Sequence, residues 1–213
     1  MPKKTFFNLP AEKRNSIISA AMYEFSAHSY KTASINVICR ESGIAKGSFY
    51  QYFADKLDLY VYIMTLAIEE KIRFFSSALS ESNNPGLTEQ IRMLFLKGVE
   101  FSKKHPLFAA LGEQFSKEDD ESAKSAVIRE GDKLSGSLFL QMIHDAKARG
   151  EIDGGIDPFA LSLLLQSLNS AVSMYMHDRF GNTGYEINKE EVDNFVDSLL
   201  NILVHGIRIK NSI

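Results

Sequence analysis

The chain has little of what would commit it to several functional classes. Its 213 residues include one cysteine, Cys39, so no intrachain disulfide can form and the chain suits a reducing compartment. Cys39 itself reads as a small packed residue within a helix, because free cysteine is usually buried. No window carries the roughly eighteen uninterrupted apolar residues of a membrane span. The start, MPKKTFFNLP, lacks the apolar core of a signal peptide. A cytoplasmic protein with no membrane partner is expected.

Signatures of catalysis are missing as well. The sequence has no G-x-S-x-G, no glycine-rich phosphate fingerprint and no H-E-x-x-H, and His28, His105, His144, His177 and His205 stand singly. The run DGGID resembles part of a calcium loop but lacks the downstream glutamate at the required spacing. The expectation is a protein that is not an enzyme, with no catalytic residue, no metal site and no cofactor.

Positive charge is also scarce overall, at a net −3, which argues against a polyanion partner until it is divided. Residues 1–60 hold eight Lys and Arg against five Asp and Glu, or +3, leaving −6 for the rest. The cationic part points at a polyanion and the acidic part is left for other work.

What is present is helical periodicity throughout. A first helix is expected from Pro10 to His28, with Ile17, Ile18, Ala21, Met22 and Phe25 as its apolar stripe. Lys13 and Arg14 near its start oppose the helix dipole, which an external anion or a solvated face would explain equally well. The stretch Ser34 to Phe53, SINVICRESGIAKGSFYQYF, then sets two short helical patterns around one glycine. Ser34 can cap the first, Gly43 can take the left-handed conformation that ends it, and Ile44 can pack back upon it. The second begins near Ala45, with Phe49 and Phe53 sharing an inward face. An ordinary helical hairpin would show the same periodicity. A helix-turn-helix, whose second helix can enter the DNA major groove, is the functional reading. Lys46, Ser48 and Gln51 are its polar residues, and the hydroxyls of Tyr50 and Tyr52 suit phosphate oxygens.

Downstream, Asp55 caps a run of some twenty-five residues to about Ser80 that reads as a connector helix. Further helices are expected over Leu87 to Lys104, from Pro106 to Phe115, and from the acidic KEDDES to a stop at Gly150. Asp157 and Pro158 open another, which runs to Phe180 and is apolar on nearly every side. The last helix, after the loop GNTGYEIN, carries Val192, Phe195, Val196, Leu199, Leu200, Leu203, Val204 and Ile207, with further apolar residues at Ile202 and Ile209. These two helices have more apolar face than one small core needs, so a homodimer through them is expected.

The N-terminal landmarks resemble the TetR/AcrR family of transcriptional regulators. They are Arg14, Ile17, Ala20, Ala21 and Phe25, then Ile38, Gly43, Ile44, Lys46, Gly47, Tyr50, Phe53, Lys56 and Leu59. The resemblance implies an all-α fold: a three-helix DNA-binding domain at residues 1–54 and a larger helical ligand-binding and dimerisation domain at 55–213, with residues 55–80 as the connector. It implies a recognition helix from Ala45 on which Lys46, Gly47 and Ser48 approach base edges or phosphates. It further implies that Tyr50, Tyr52 and Lys56 meet the phosphate backbone and that Asn36 reaches a base; Gln51 joins them as an exposed polar residue. Lysine can donate to guanine and asparagine can bond adenine bidentately. Ser29, Cys39 and Ala45 depart from the family's usual glycine, alanine and capping serine or threonine.

The implied function is a ligand-responsive repressor that binds a double-stranded DNA operator and leaves it when a small, largely hydrophobic effector binds. The alternative is a helical interaction module of the same fold without sequence-specific DNA binding. For the effector pocket the aromatic and sulfur-bearing positions Phe101, Phe108, Phe115, Met142 and Met174, with Gln166, are the candidates.

Overall fold

The computed structural model describes residues 1–80, 85–180 and 189–205. Ile207, Ile209 and the loop expected at 181–188 lie outside the described residues, as do the side chains of Met174 and Met176. Ten helices are found among the described residues, and no strand. The expected all-α class is what the chain forms.

The first helix in the chain is one that periodicity did not suggest, the single turn α1 (Lys4–Phe7). It forms because Phe6 is fully buried, 4.9 Å from the ring of Phe53 and 5.5 Å from that of Tyr62. Helix α2 (Ala11–Ala27) buries Ile17, Ala21, Met22 and Phe25 as the stripe required. Helix α3 (Ile35–Glu41) starts where Ser34 accepts the Val37 amide at 3.4 Å. It stops where Gly43 turns to φ +64°. The Ile44 amide then bonds the Cys39 carbonyl at 2.9 Å and the Gly43 amide bonds the Arg40 carbonyl at 3.1 Å, the paired bonds that close a helix end through a left-handed residue.

Helix α4 (Lys46–Tyr52) follows after the four residues Ser42, Gly43, Ile44 and Ala45, with no side chain capping its N-terminus at Ala45. Helix α5 (Lys56–Ser80) is a single run of 25 residues. Asp55 accepts the Asp58 amide at 2.8 Å, and Asp58 reaches back to the Ala54 amide at 3.0 Å. Then come α6 (Leu87–Lys104), α7 (Pro106–Ser116), α8 (Glu121–Ala148), α9 (Pro158–Phe180) and α10 (Lys189–His205).

Two compact units result. One comprises residues 1–72 and 104–135, around Phe6, Ile17, Phe25, Ile38, Phe49, Phe53, Leu59, Ile63 and Leu111. The other comprises residues 73–103 and those from 136 onward, around Ile91, Phe139, Ile143, Leu165, Val196 and Leu200. In the second unit α8 ends at Gly150, φ +72°, with the same pair of closing bonds, Glu151 to Ala146 and Gly150 to Lys147. The Glu151 carboxylate caps α6 through the Leu87 amide at 2.7 Å. The Arg149 guanidinium, then that amide, hold its carboxyl below the usual range. Asp157 caps α9 through the Phe159 and Ala160 amides at 2.8 and 2.9 Å.

Candidate nucleic-acid interface

Helix α4 is amphipathic over only seven residues. Phe49 is fully buried on it and Phe53 just beyond it, their rings 5.4 Å apart. That pair fixes which face looks out. Lys46, Gly47, Tyr50 and Gln51 are exposed and Ser48 is half-buried. Lys46 makes no ion pair among the described residues, so its ammonium is available to an external anion. Asn36 is exposed on α3. A short helix thus offers a cation, an amide, a phenol and a bare backbone stretch at Gly47, the mixture from which duplex recognition is built.

Tyr52 is placed differently from Tyr50. It is half-buried, packed against the first unit's core with its ring 6.4 Å from Phe6, whereas Tyr50 is 47% exposed. Cys39 is buried behind the surface, and burial pushes its thiol up, against the pull of Lys46. It is a packing residue, as its neighbours on α3 require.

Backbone carbonyls bordering the two short helices are gathered by cations and hydroxyls from outside. Lys56 Nζ donates to the carbonyls of Lys31 and Ala33 at 3.1 and 3.0 Å, ahead of α3, and lies 4.7 Å from the Tyr30 ring. Lys13 Nζ donates to the carbonyls of Ser42 and Gly43 at 3.2 and 2.7 Å, inside the turn. At the end of α4, Lys3 Nζ donates to the Tyr50 carbonyl and the Lys3 amide to that of Tyr52, both at 2.8 Å, while Thr5 Oγ1 donates to that of Gln51. Arg14, the other cation at the start of α2, donates to the Phe7 carbonyl at 3.1 Å. Lys13 and Arg14 therefore have internal acceptors. Lys56, expected to face phosphate, spends two of the three donors of an ammonium on carbonyls, leaving one to offer elsewhere.

The loop entering α3 is tied down in two further places. Glu24, nearly buried, accepts the Ser34 amide at 2.8 Å. Glu118, 3% exposed in the turn between α7 and α8, accepts the Tyr30 amide at 2.8 Å and the Asp120 amide at 3.0 Å. Burial first, then nearby Asp55, Asp120 and Glu118, pushes the Tyr30 hydroxyl up. In the sequence, Lys117–Ser122 reads as helix-start chemistry alone. Neither the Glu118 contact nor those of Lys3 and Thr5 carries a periodic signal.

The effector candidates are divided between the units. Phe108 and Phe115 are half-buried against the first unit's core. Phe101 is buried in the second, its ring 5.5 Å from Phe74, and Met142 lies in the second core. Gln166 donates to the Ser162 carbonyl and hydroxyl at 3.2 and 3.1 Å. Met174 lies outside the described side chains. Two open depressions, of about 400 Å³ beside Leu57, Val61 and Ala126 and about 360 Å³ beside Arg92, Leu200 and Val204, touch none of the six.

The last two helices leave apolar surface uncovered. Phe159, Leu163 and Leu164 on α9 are 70%, 67% and 47% exposed, and Ile202 and Val204 on α10 are 52% and 51% exposed. Among the described residues no helix is long and apolar enough to cross a membrane.

Comparison with known proteins places these features. A family model described as bacterial regulatory proteins, tetR family, matches residues 17–63. The chain is 47% identical over 51 residues to HTH-type transcriptional regulator HbdR of Aromatoleum sp. (strain CIB), a stretch covering 24% of this chain and 22% of that relative. That stretch therefore spans about a fifth of the relative's length. A TetR family transcriptional regulator from Chloroflexus aurantiacus J-10-FL is similar at 29% identity and a TM-score of 0.59, covering 99% of this chain and all of that one. FadR from Bacillus subtilis, solved in complex with stearoyl-CoA, shares the fold at 17% identity and a TM-score of 0.67, over 91% of this chain and 99% of that one.

Proposed function

Because the chain belongs to the TetR family of bacterial transcriptional regulators, we propose that it is a homodimeric, ligand-responsive repressor, reading DNA with residues 1–54 and binding effector and partner with residues 55–213. The observation that carries the reading is α4, whose outward face of Lys46, Gly47, Tyr50 and Gln51 is set by the buried Phe49 and Phe53. Lys46, Gly47 and Ser48 approach base edges or neighbouring phosphates, and Asn36 and Gln51 reach bases. Tyr50, Tyr52 and the remaining donor of Lys56 hold the backbone.

Two copies joined through α9 and α10 cover Phe159, Leu163, Ile202 and Val204, and a two-fold axis demands a near-palindromic operator with half-sites one turn, about 34–36 Å, or somewhat more apart. The effector is apolar. The fold shared with a stearoyl-CoA-binding regulator supports a long acyl chain as the first probe, with Phe101, Phe108, Phe115, Met142, Gln166 and Met174 as the positions to alter. Effector binding favours a state in which the half-site spacing no longer fits, and DNA affinity falls by the difference in effector affinity between the two states. The Glu118–Tyr30 contact is where such a change reaches the entry to α3.

Repeated selection from a random duplex library tests the DNA-reading part. Enrichment of a near-palindrome bound by two protomers is expected; a pool that stays random at low salt refutes it.

A further inference from the structure

We propose that the N-terminal segment Lys3–Phe7 is a positioning element for DNA reading, a clasp that fixes the exit of α4 and hence the angle at which its outward face meets the duplex. The inference rests on the DNA-reading function proposed above.

Helix α4 has seven residues, and its Ala45 supplies no side-chain cap. A helix this short is marginal by its own bonds. Its last carbonyls would have only water as partners. The structure gives three consecutive ones, Tyr50, Gln51 and Tyr52, a donor each from one five-residue segment: Lys3 Nζ, Thr5 Oγ1 and the Lys3 amide. The positive charge of Lys3 stands at the negative end of the α4 dipole, where it stabilises. The clasp is held in turn by Phe6, fully buried against Phe53 and Tyr62, and by the turn of α1 that carries it. All three clasped residues, Tyr50, Gln51 and Tyr52, are among the side chains assigned to DNA. Lys3 and Thr5 thus act through them, and a lysine that looks like a phosphate contact by its charge is an internal cap by its geometry.

The test uses the full chain, the duplex that wild type selects and a random duplex of equal length. Thr5→Val removes one donor without changing charge, Lys3→Met removes the ammonium, and Thr5→Ser restores the hydroxyl. Both bonds are exposed, so single variants are expected to weaken the selected duplex only about threefold to tenfold, and the double variant more. Random-duplex affinity and the salt slope stay at wild-type values in Thr5→Val, and Thr5→Ser recovers binding. Hydrogen exchange at the α4 amides quickens in the variants while that of α2 and α5 does not. Unchanged exchange at α4 overturns the proposal. So does an equal loss on both duplexes in Lys3→Met with the salt slope reduced by about one, which marks a phosphate contact instead. Should wild type prefer no duplex, the DNA-reading function fails by itself. The exchange measurement then still decides the clasp, quicker exchange supporting it and unchanged exchange overturning it.

Discussion

Replacing Glu118 separates two contacts that look alike by distance, at 2.8 and 3.2 Å. Glu118 and its neighbour Asp119 each reach back 88 residues, to Tyr30 and Lys31 respectively. Glu118 is 3% exposed and both its oxygens are used, one on the Tyr30 amide and one on the Asp120 amide. Glutamine keeps one acceptor and turns an NH2 donor toward an amide that is itself a donor. A hydrogen bond to a charged group contributes about 1.5–3 kcal/mol, and a buried donor left unpaired costs about 1–3 kcal/mol. Glu118→Gln should therefore destabilise by roughly 1–3 kcal/mol, and Glu118→Ala, which strands both amides, by more. The Lys31–Asp119 pair joins side chains 54% and 75% exposed; such pairs contribute about 0–1 kcal/mol, and Asp119→Ala should lie within about 0.5 kcal/mol of wild type. Urea unfolding measures both, with the midpoint falling and the slope retained. Equal losses for Glu118→Gln and Asp119→Ala, or none for either, would refute the ranking of burial over charge on which the contact's importance rests.

Other substitutions probe the remaining elements. Gly43→Ala meets no clash, its new Cβ in ordinary contact with Lys13 Nζ at 3.6 Å, so the cost is the left-handed backbone alone, about 1–2 kcal/mol; Gly43→Asn, measured by the same unfolding, should lose less. Leu163→Glu places charge on the exposed face of α9 and should convert dimer to monomer in sedimentation without altering the melting of the monomer, whereas an unchanged dimer places the interface elsewhere. The depressed carboxyl of Glu151 adds stability that is present above its unfolded pKa and lost as pH falls through the lower folded value. Glu151→Gln should flatten that acid limb of the stability curve, and an unaltered limb would contradict the assignment.

The parts of the fold legible in the sequence are those whose causes lie within a few residues. Ser34, Gly43 and Ile44 act on amides and carbonyls three to five positions away, and each does what its type and spacing require. Asp55, Asp157 and Pro158 are of the same kind. The burial of Phe49 and Phe53 follows from a four-residue spacing. What escaped sequence reasoning is long-range. Thr5 bonds a carbonyl 46 residues on, and Glu118 an amide 88 residues back; neither leaves a period or a turn signature. Lys13, whose charge suits an external anion or a solvated face equally, and Lys56, set at phosphate by the family resemblance, show the same limit from the other side: the folded chain supplies carbonyls as the nearer acceptors. The helix α9, apolar on nearly every side, has one stripe in the core and another, through Phe159 and Leu163, exposed.

Hydroxyl-radical and methylation footprinting of the selected duplex shows whether α4 reads DNA as one of a symmetric pair. Two recognition helices on one dimer predict two protected major-groove segments on the same face of the duplex, related by a dyad and one helical turn or somewhat more apart, with the guanines among them unprotected in Lys46→Ala. Protection without that symmetry, or a Lys46→Ala footprint identical to wild type, would contradict α4 as the reader of DNA.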